Sequence, residues 1–177
     1  MVTIEQLFRQ AQQAGAAEIY LMAGRKPAAR IGGKIKNLDY PELSSTEAEK
    51  ILLEMLDAKQ AAQYRETKSV DEMIAFHGIG RFRVHIYQND GVPSACVKII
   101  NKKEGLPEEL KALAGITQGL VLVCGKPHSG KSATLAALAE QMLAGRFMHL
   151  VTLESPVEYP IEAGKGLLSR RCIGKDT

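Results

Sequence analysis

Residues 125–132 read Gly-Lys-Pro-His-Ser-Gly-Lys-Ser, entered from the apolar run Gly119-Leu-Val-Leu-Val-Cys124 and left through the Ala-rich run Ala133–Ala144. The octet satisfies G-x-x-x-x-G-K-[ST], the pattern of a phosphate-binding loop. Its flanks supply the context that the pattern needs, a strand-sized apolar run before it and a helical run after it. Such a turn aims backbone N–H groups and a helix N-terminus at one point, which suits a polyphosphate anion. ATP with Mg²⁺ is therefore the expected ligand. Gly125, Ser129, Gly130, Lys131, Ser132, Ala133 and Thr134 are the expected cradle, with Lys131 reaching the β- and γ-phosphates and the Ser132 hydroxyl on Mg²⁺.

Outward from the loop, the order strand, loop, helix, strand at 119–124, 125–130, 131–144 and 147–153 opens a doubly wound parallel sheet, with Gly145 closing the helix. Too few residues follow Leu153 to complete such a sheet. Upstream the pattern differs. Thr3-x-x-Gln6 forms a capping box, and Ile4, Leu7, Phe8, Ala11 and Ala14 recur at helical spacing up to Gly15. Strands are expected at Glu18–Ala23, Ala28–Ile31 and Lys34–Leu38, the last two flanking a Gly32-Gly33 hairpin turn. A helix capped by Ser44 and another over Lys59–Glu66 follow. Further strands fall at Val70–Phe76, Arg81–Tyr87 and Ser94–Ile100. Residues 1–100 thus read as an α+β domain with an antiparallel sheet. Asn101–Gly105 reads as a linker, Leu106–Leu113 as a short helix within the 101–118 connection, and 119–177 as a partial α/β domain.

Composition narrows the function classes. The chain has 177 residues, 45% of them hydrophobic and 24% charged, enough to bury a core. Its longest apolar stretches are far shorter than a membrane-crossing helix, and Met-Val-Thr-Ile-Glu-Gln lacks signal-peptide patterning. Cys96, Cys124 and Cys172 are widely spaced with no C-x-x-C, as expected of reduced cytosolic thiols rather than a disulfide frame or zinc site. A net charge of +3 is dispersed, and aromatics make up only 5%, so no nucleic-acid partner is expected.

Five ordered stretches resemble the type IV pilus retraction ATPases (PilT-like) of the type II/IV secretion ATPase family. Gly15-Ala-Ala-Glu-Ile-Tyr-Leu21 is similar to G-A-S-D-I-H-L, and Gly80-Arg-Phe-Arg-Val84 to G-x-R-F-R-V. Gly119–Thr134 is similar to G-L-V-L-V-T-G-P-T-G-S-G-K-S-T-T. His149–Tyr159 resembles the acidic box H-I-x-T-I-E-D-P-I-E, and Gly174-Lys-Asp-Thr177 the end of Q-R-E-V-G-x-D-T. The resemblance implies a PAS-like N-terminal domain followed by a truncated RecA-like P-loop NTPase domain. It further implies a homo-hexameric ring in the cytoplasm at the inner face of the bacterial inner membrane. Partners there are a pilus platform protein and other pilus ATPases. The family continues into a second acidic motif and a histidine box, neither of which is present here. Weak or absent hydrolysis is therefore expected, from a fragment or from a truncated paralog. The alternative is a non-catalytic module docking on an intact ATPase ring.

Individual residues carry the same two readings. Glu154 and Glu158 follow the end of a parallel strand, where ligands of open sheets bind. They organise Mg²⁺ and water beside the γ-phosphate, with Glu154 as a metal ligand, or else they are solvated loop carboxylates. Arg81 and Arg83 share one strand face, and the resemblance implies that Arg81 reaches toward the phosphates. Lys98, Ser155, Pro127 and His128 depart from the family pattern, and His128 must accept the backbone angles of a family glycine.

Overall fold

Capping and alternation account for most of the elements. The computed structural model describes residues 3–101 and 105–177, and the chain divides into two units between Asn101 and Lys102. In the first unit, the Thr3 hydroxyl accepts from the Gln6 amide at 3.3 Å and the Gln6 side chain accepts from the Thr3 amide. This box starts α1 (Ile4–Gln13), whose buried face is Ile4, Leu7, Phe8 and Ala11. Six strands follow: β1 (Ala16–Met22), β2 (Ala28–Ile31), β3 (Lys34–Asn37), β4 (Ser69–Phe76), β5 (Gly80–Asn89) and β6 (Val92–Ile100). Between β3 and β4 lie α2 (Ser45–Glu54) and α3 (Ala58–Thr67), opened by capping boxes on Ser44 and Asp57.

The strands form one antiparallel sheet in the order β3-β2-β1-β6-β5-β4. Gly32 and Gly33 take φ of 57° and 79°, the pair of positive angles that a tight two-residue hairpin requires. Period-two alternation sorts the two faces of β5. Phe82, Val84 and Ile86 are fully buried, whereas Arg81, Arg83 and His85 alternate with them on the other face. Phe8 of α1 stacks on Phe82 at 4.1 Å between centroids and meets Phe76 edge-on at 5.2 Å. Gln12 of the same helix donates to the Ile79 carbonyl at 3.1 Å, so α1 is also pinned to the β4–β5 turn. The polar face carries Glu18, which accepts from Arg30 at 2.7 Å, and Asp71, which holds Arg83 at 2.7 Å.

The second unit contains α4 (Glu108–Lys111), a short 3-10 turn over Ala112–Gly115, α5 (Lys131–Gly145), β7 (His149–Glu154) and β8 (Leu167–Cys172). The helix expected over Leu106–Leu113 begins only after Pro107, which occupies its N-cap. β7 and β8 run parallel, with Thr152 opposite Arg170 and Glu154 opposite Cys172. The chain is therefore a mixed α/β protein with mostly antiparallel pairing.

Two of the expected strands need correction, and a further strand is added. Residues 119–124 form no strand, because no segment among the described residues supplies a ladder for them; Leu120 and Leu122 are 82% and 74% exposed rather than buried. The strand expected over 147–153 begins at His149, and that histidine is exposed, sharing a 2.8 Å hydrogen bond with the Ser169 hydroxyl. β8 was not anticipated at all. Of the expected linker, residues 102–104 lie outside the described residues.

Candidate functional site

Gly130 sits in the left-handed region at φ 88° and turns the chain directly into α5, fifteen residues long and buried through Ala136–Ala139 and Leu143. No side chain caps the first turn of this helix, whose N–H groups have no partner within the helix itself. Lys131 folds back over that loop. Its ammonium donates to the Gly125 carbonyl at 3.1 Å and to the Lys126 carbonyl at 2.8 Å. A Cβ on Gly125 would stand 2.6 Å from the Ser129 hydroxyl, which would have to turn away to admit it. The loop closes with Ser129 N–H donating to the Lys126 carbonyl at 3.3 Å, and Thr134 N–H to the Gly130 carbonyl at 2.8 Å. His128 takes φ 62°, the left-handed angle that a non-glycine residue adopts only at a cost. Gly125, Ser129, Gly130, Lys131, Ser132, Ala133 and Thr134 thus lie in one continuous turn and first helical turn.

The acidic pair lies after β7. Glu154 ends that strand, and Glu158, only 7% exposed, is buried in the following segment. The Glu154 carboxylate has two partners on one oxygen. Its Oε1 accepts from the Thr152 hydroxyl at 2.9 Å and from Arg170 Nη2 at 3.3 Å. The same Arg170 nitrogen donates to the Tyr159 carbonyl. Burial, followed by the nearby Glu158 carboxylate, raises the Tyr159 hydroxyl above its ordinary value. Lys131 and Glu154 are joined by no hydrogen bond or ion pair among the described residues. Arg81 belongs to the first unit, on β5 opposite Ala75 and Ile100. Sequence reading missed Arg170: its partnership with Glu154 depends on the β7–β8 register, which no local pattern announces.

The backbone of β7 and β8 is held against the far end of α5. Lys165 N–H donates to the Leu143 carbonyl at 3.0 Å. A Cβ on Gly164 would meet that same carbonyl at 2.9 Å, and one on Gly166 would meet the Met148 carbonyl at 2.7 Å. Two glycines therefore let the loop pass close enough for β8 to join β7.

A divalent cation fits part of this donor set. Ser132 is exposed in the first turn of α5. No cluster of three His, Cys, Asp or Glu side chains gathers among the described residues. Of the two Glu154 carboxylate oxygens, Oε1 is taken by Thr152 and Arg170.

PilT of Pseudomonas aeruginosa, a type IV pilus retraction ATPase, is 31% identical over 183 residues, covering 98% of this chain and 52% of PilT. The twitching motility protein of Neisseria gonorrhoeae is 29% identical over 157 residues, covering 85% of this chain and 42% of that protein. A crystal structure of the pilus retraction motor PilT with bound ADP superposes with a TM-score of 0.83 at 32% identity, over 100% of this chain and 54% of that one. No protein-family model matches. The chain spans about half the length of the relatives it matches. In sequence and in fold it resembles the pilus motor ATPases. Within that group it is PilT-like.

Proposed function

We propose that this chain is the nucleotide-binding part of a PilT-like motor ATPase for type IV pilus retraction. The observation that carries the reading is the loop itself. An uncapped fifteen-residue helix starts at a left-handed glycine, with Lys131 poised on the carbonyls of Gly125 and Lys126. An incoming polyphosphate exchanges those two neutral acceptors for charged ones and takes the free N–H groups of the first turn. Gly125, Ser129, Gly130, Lys131, Ser132, Ala133 and Thr134 form the cradle, and Ser132 faces the Mg²⁺ of a bound MgATP. Mg²⁺ held there would supply charge neutralisation for the phosphates. Glu158 and Glu154 are the acidic side chains beside the γ-phosphate, and Arg81 is the arginine offered to the phosphates. The first unit is then the PAS-like domain (1–100), 101–118 the connection and 119–177 the RecA-like portion. Hydrolysis by this chain alone is weak or absent. The assembly is a hexameric ring at the cytoplasmic face of the inner membrane, working with a platform protein and other pilus ATPases. Attachment to the membrane runs through those partners; no helix among the described residues is long and apolar enough to cross a membrane.

Titration with a fluorescent ATP analogue and Mg²⁺ tests the reading against Lys131→Ala. Saturable binding that the variant loses is the expected result. Absence of binding by both, with each folded by circular dichroism, overturns it. That outcome favours a second reading, a non-catalytic module that docks on an intact pilus ATPase ring. The strained His128 and the missing N–H of Pro127 in the loop support this alternative. Capture of an intact PilT-like ATPase by the chain would then be the decisive positive result.

A further inference from the structure

The carboxylate of Glu154 already has a cation. In the parallel β7–β8 ladder Thr152 stands opposite Arg170. The guanidinium reaches along the sheet to Glu154, where Nη2 lies 3.3 Å from Oε1. The Thr152 hydroxyl donates to the same oxygen at 2.9 Å. The two ionised side chains are 23% and 27% exposed, so much of the water that would screen them has been removed. Arg170 Nη2 also donates to the Tyr159 carbonyl, which ties β8 to the segment that carries Glu158. A magnesium ion demands carboxylate oxygen at about 2.0–2.1 Å within a near-octahedral shell. A guanidinium held on Oε1 occupies one of the two carboxylate oxygens, and its charge repels a second cation from the other.

We propose that Arg170 is the resident counter-ion of Glu154, positioning that carboxylate and closing it to direct coordination of a divalent cation. Metal that arrives with a nucleotide is then held by the phosphates and the Ser132 hydroxyl, and Glu154 contacts it through water. Only this last consequence rests on the nucleotide reading given above; the counter-ion role stands on the ladder and the ion pair.

Mn²⁺ titration followed by electron paramagnetic resonance, on the whole chain without nucleotide, tests the proposal. Mn²⁺ substitutes for Mg²⁺ on oxygen ligands. The wild-type chain is expected to show no Mn²⁺ site that depends on Glu154. Arg170→Gln keeps hydrogen-bonding capacity without charge and is expected to tighten Mn²⁺ binding by about tenfold or more, the scale at which outer-shell groups govern metal affinity. The gain should vanish in Arg170→Gln/Glu154→Gln, and Arg170→Lys should behave as wild type. A folded Arg170→Gln chain that gains no Mn²⁺ overturns the proposal. Should that variant fail to fold, Glu154→Gln in the wild-type background decides the matter. Unchanged Mn²⁺ binding upholds the counter-ion, and a loss of about tenfold overturns it. Because no nucleotide is present, failure of the ATP analogue to bind would remove the nucleotide reading and leave this result intact.

Discussion

His128 is the residue at which the loop departs most from ordinary backbone chemistry. Its φ of 62° suits glycine, and a side chain there costs of order 1 kcal/mol. His128→Gly is expected to raise the urea midpoint by an amount corresponding to about 1 kcal/mol, and to tighten ATP-analogue binding in the same titration. The strain was legible in advance, because the octet itself placed a histidine where the related loops carry glycine. The cysteines behave differently from one another. Burial, and after it the neighbouring Glu18, pushes the Cys96 thiol from 9.0 to about 11, whereas Cys124 is exposed at the loop entrance. Iodoacetamide at pH 8 should therefore alkylate Cys124 at least about tenfold faster than Cys96 by peptide mass spectrometry. Since the folded value is raised, the stability from keeping Cys96 protonated is complete below pH 9. It is lost as pH climbs from 9 toward about 11. Thermal unfolding of Cys96→Ala should show a flatter alkaline limb in that window than wild type. Tyr20, raised by burial and by its bond to Glu18 to about 12, accounts for a later window between pH 10 and 12.

At the level of elements, local chemistry decided what could be read. Ser44 and Glu47 reciprocate across the first turn of α2, the Ser44 amide meeting the Glu47 carboxylate at 3.0 Å. Both the box and the helix are visible in four letters. Ser44→Ala should cost about 1 kcal/mol in denaturant unfolding. The hydrogen bonds from Ser44 hold the Glu47 carboxyl below its ordinary 4.5, so their contribution is present above that value and fades as pH falls through the lowered one. The antiparallel strands were equally legible, because Arg81-Phe-Arg-Val-His-Ile86 alternates and Gly32-Gly33 forces a turn. What failed was long-range pairing. The run Leu120–Cys124 has the composition of a buried strand, yet a strand exists only with a ladder, and none is offered among the described residues. Leu167–Cys172 mixes polar and apolar residues without a clean period, and only its parallel match to β7 makes it a strand. The Glu154–Arg170 pair was hidden for the same reason. Packing between elements is concentrated in the phenylalanine trio; Phe8→Ala removes the stack on Phe82 and is expected to destabilise the first unit by about 3–5 kcal/mol.

Across the whole molecule the two units differ in how they manage apolar surface. The first buries its large side chains under α1, α2 and α3, whereas Leu120, Leu122, Phe147, Leu153 and Leu167 of the second are more than half exposed. Exposed large apolar side chains of that kind bind hydrophobic dyes. A chain of residues 1–101 is expected to unfold in one cooperative step with little dye fluorescence, and the full chain to bind the dye under the same conditions. Equal dye binding by the two would contradict this assignment. The strand order of the first unit has an outcome in time as well as in space. Two meanders, β1-β2-β3 and β4-β5-β6, are each sewn from neighbouring residues, and a single seam between β1 and β6 unites them. Glu18 through Met22 must wait for Ser94 through Lys98 to be made. During synthesis the growing polypeptide holds β1 with one edge unzipped until its tenth decade of residues is out. Protease resistance of the unit should then arrive abruptly, after residue 100 has cleared the ribosome, rather than accumulate strand by strand.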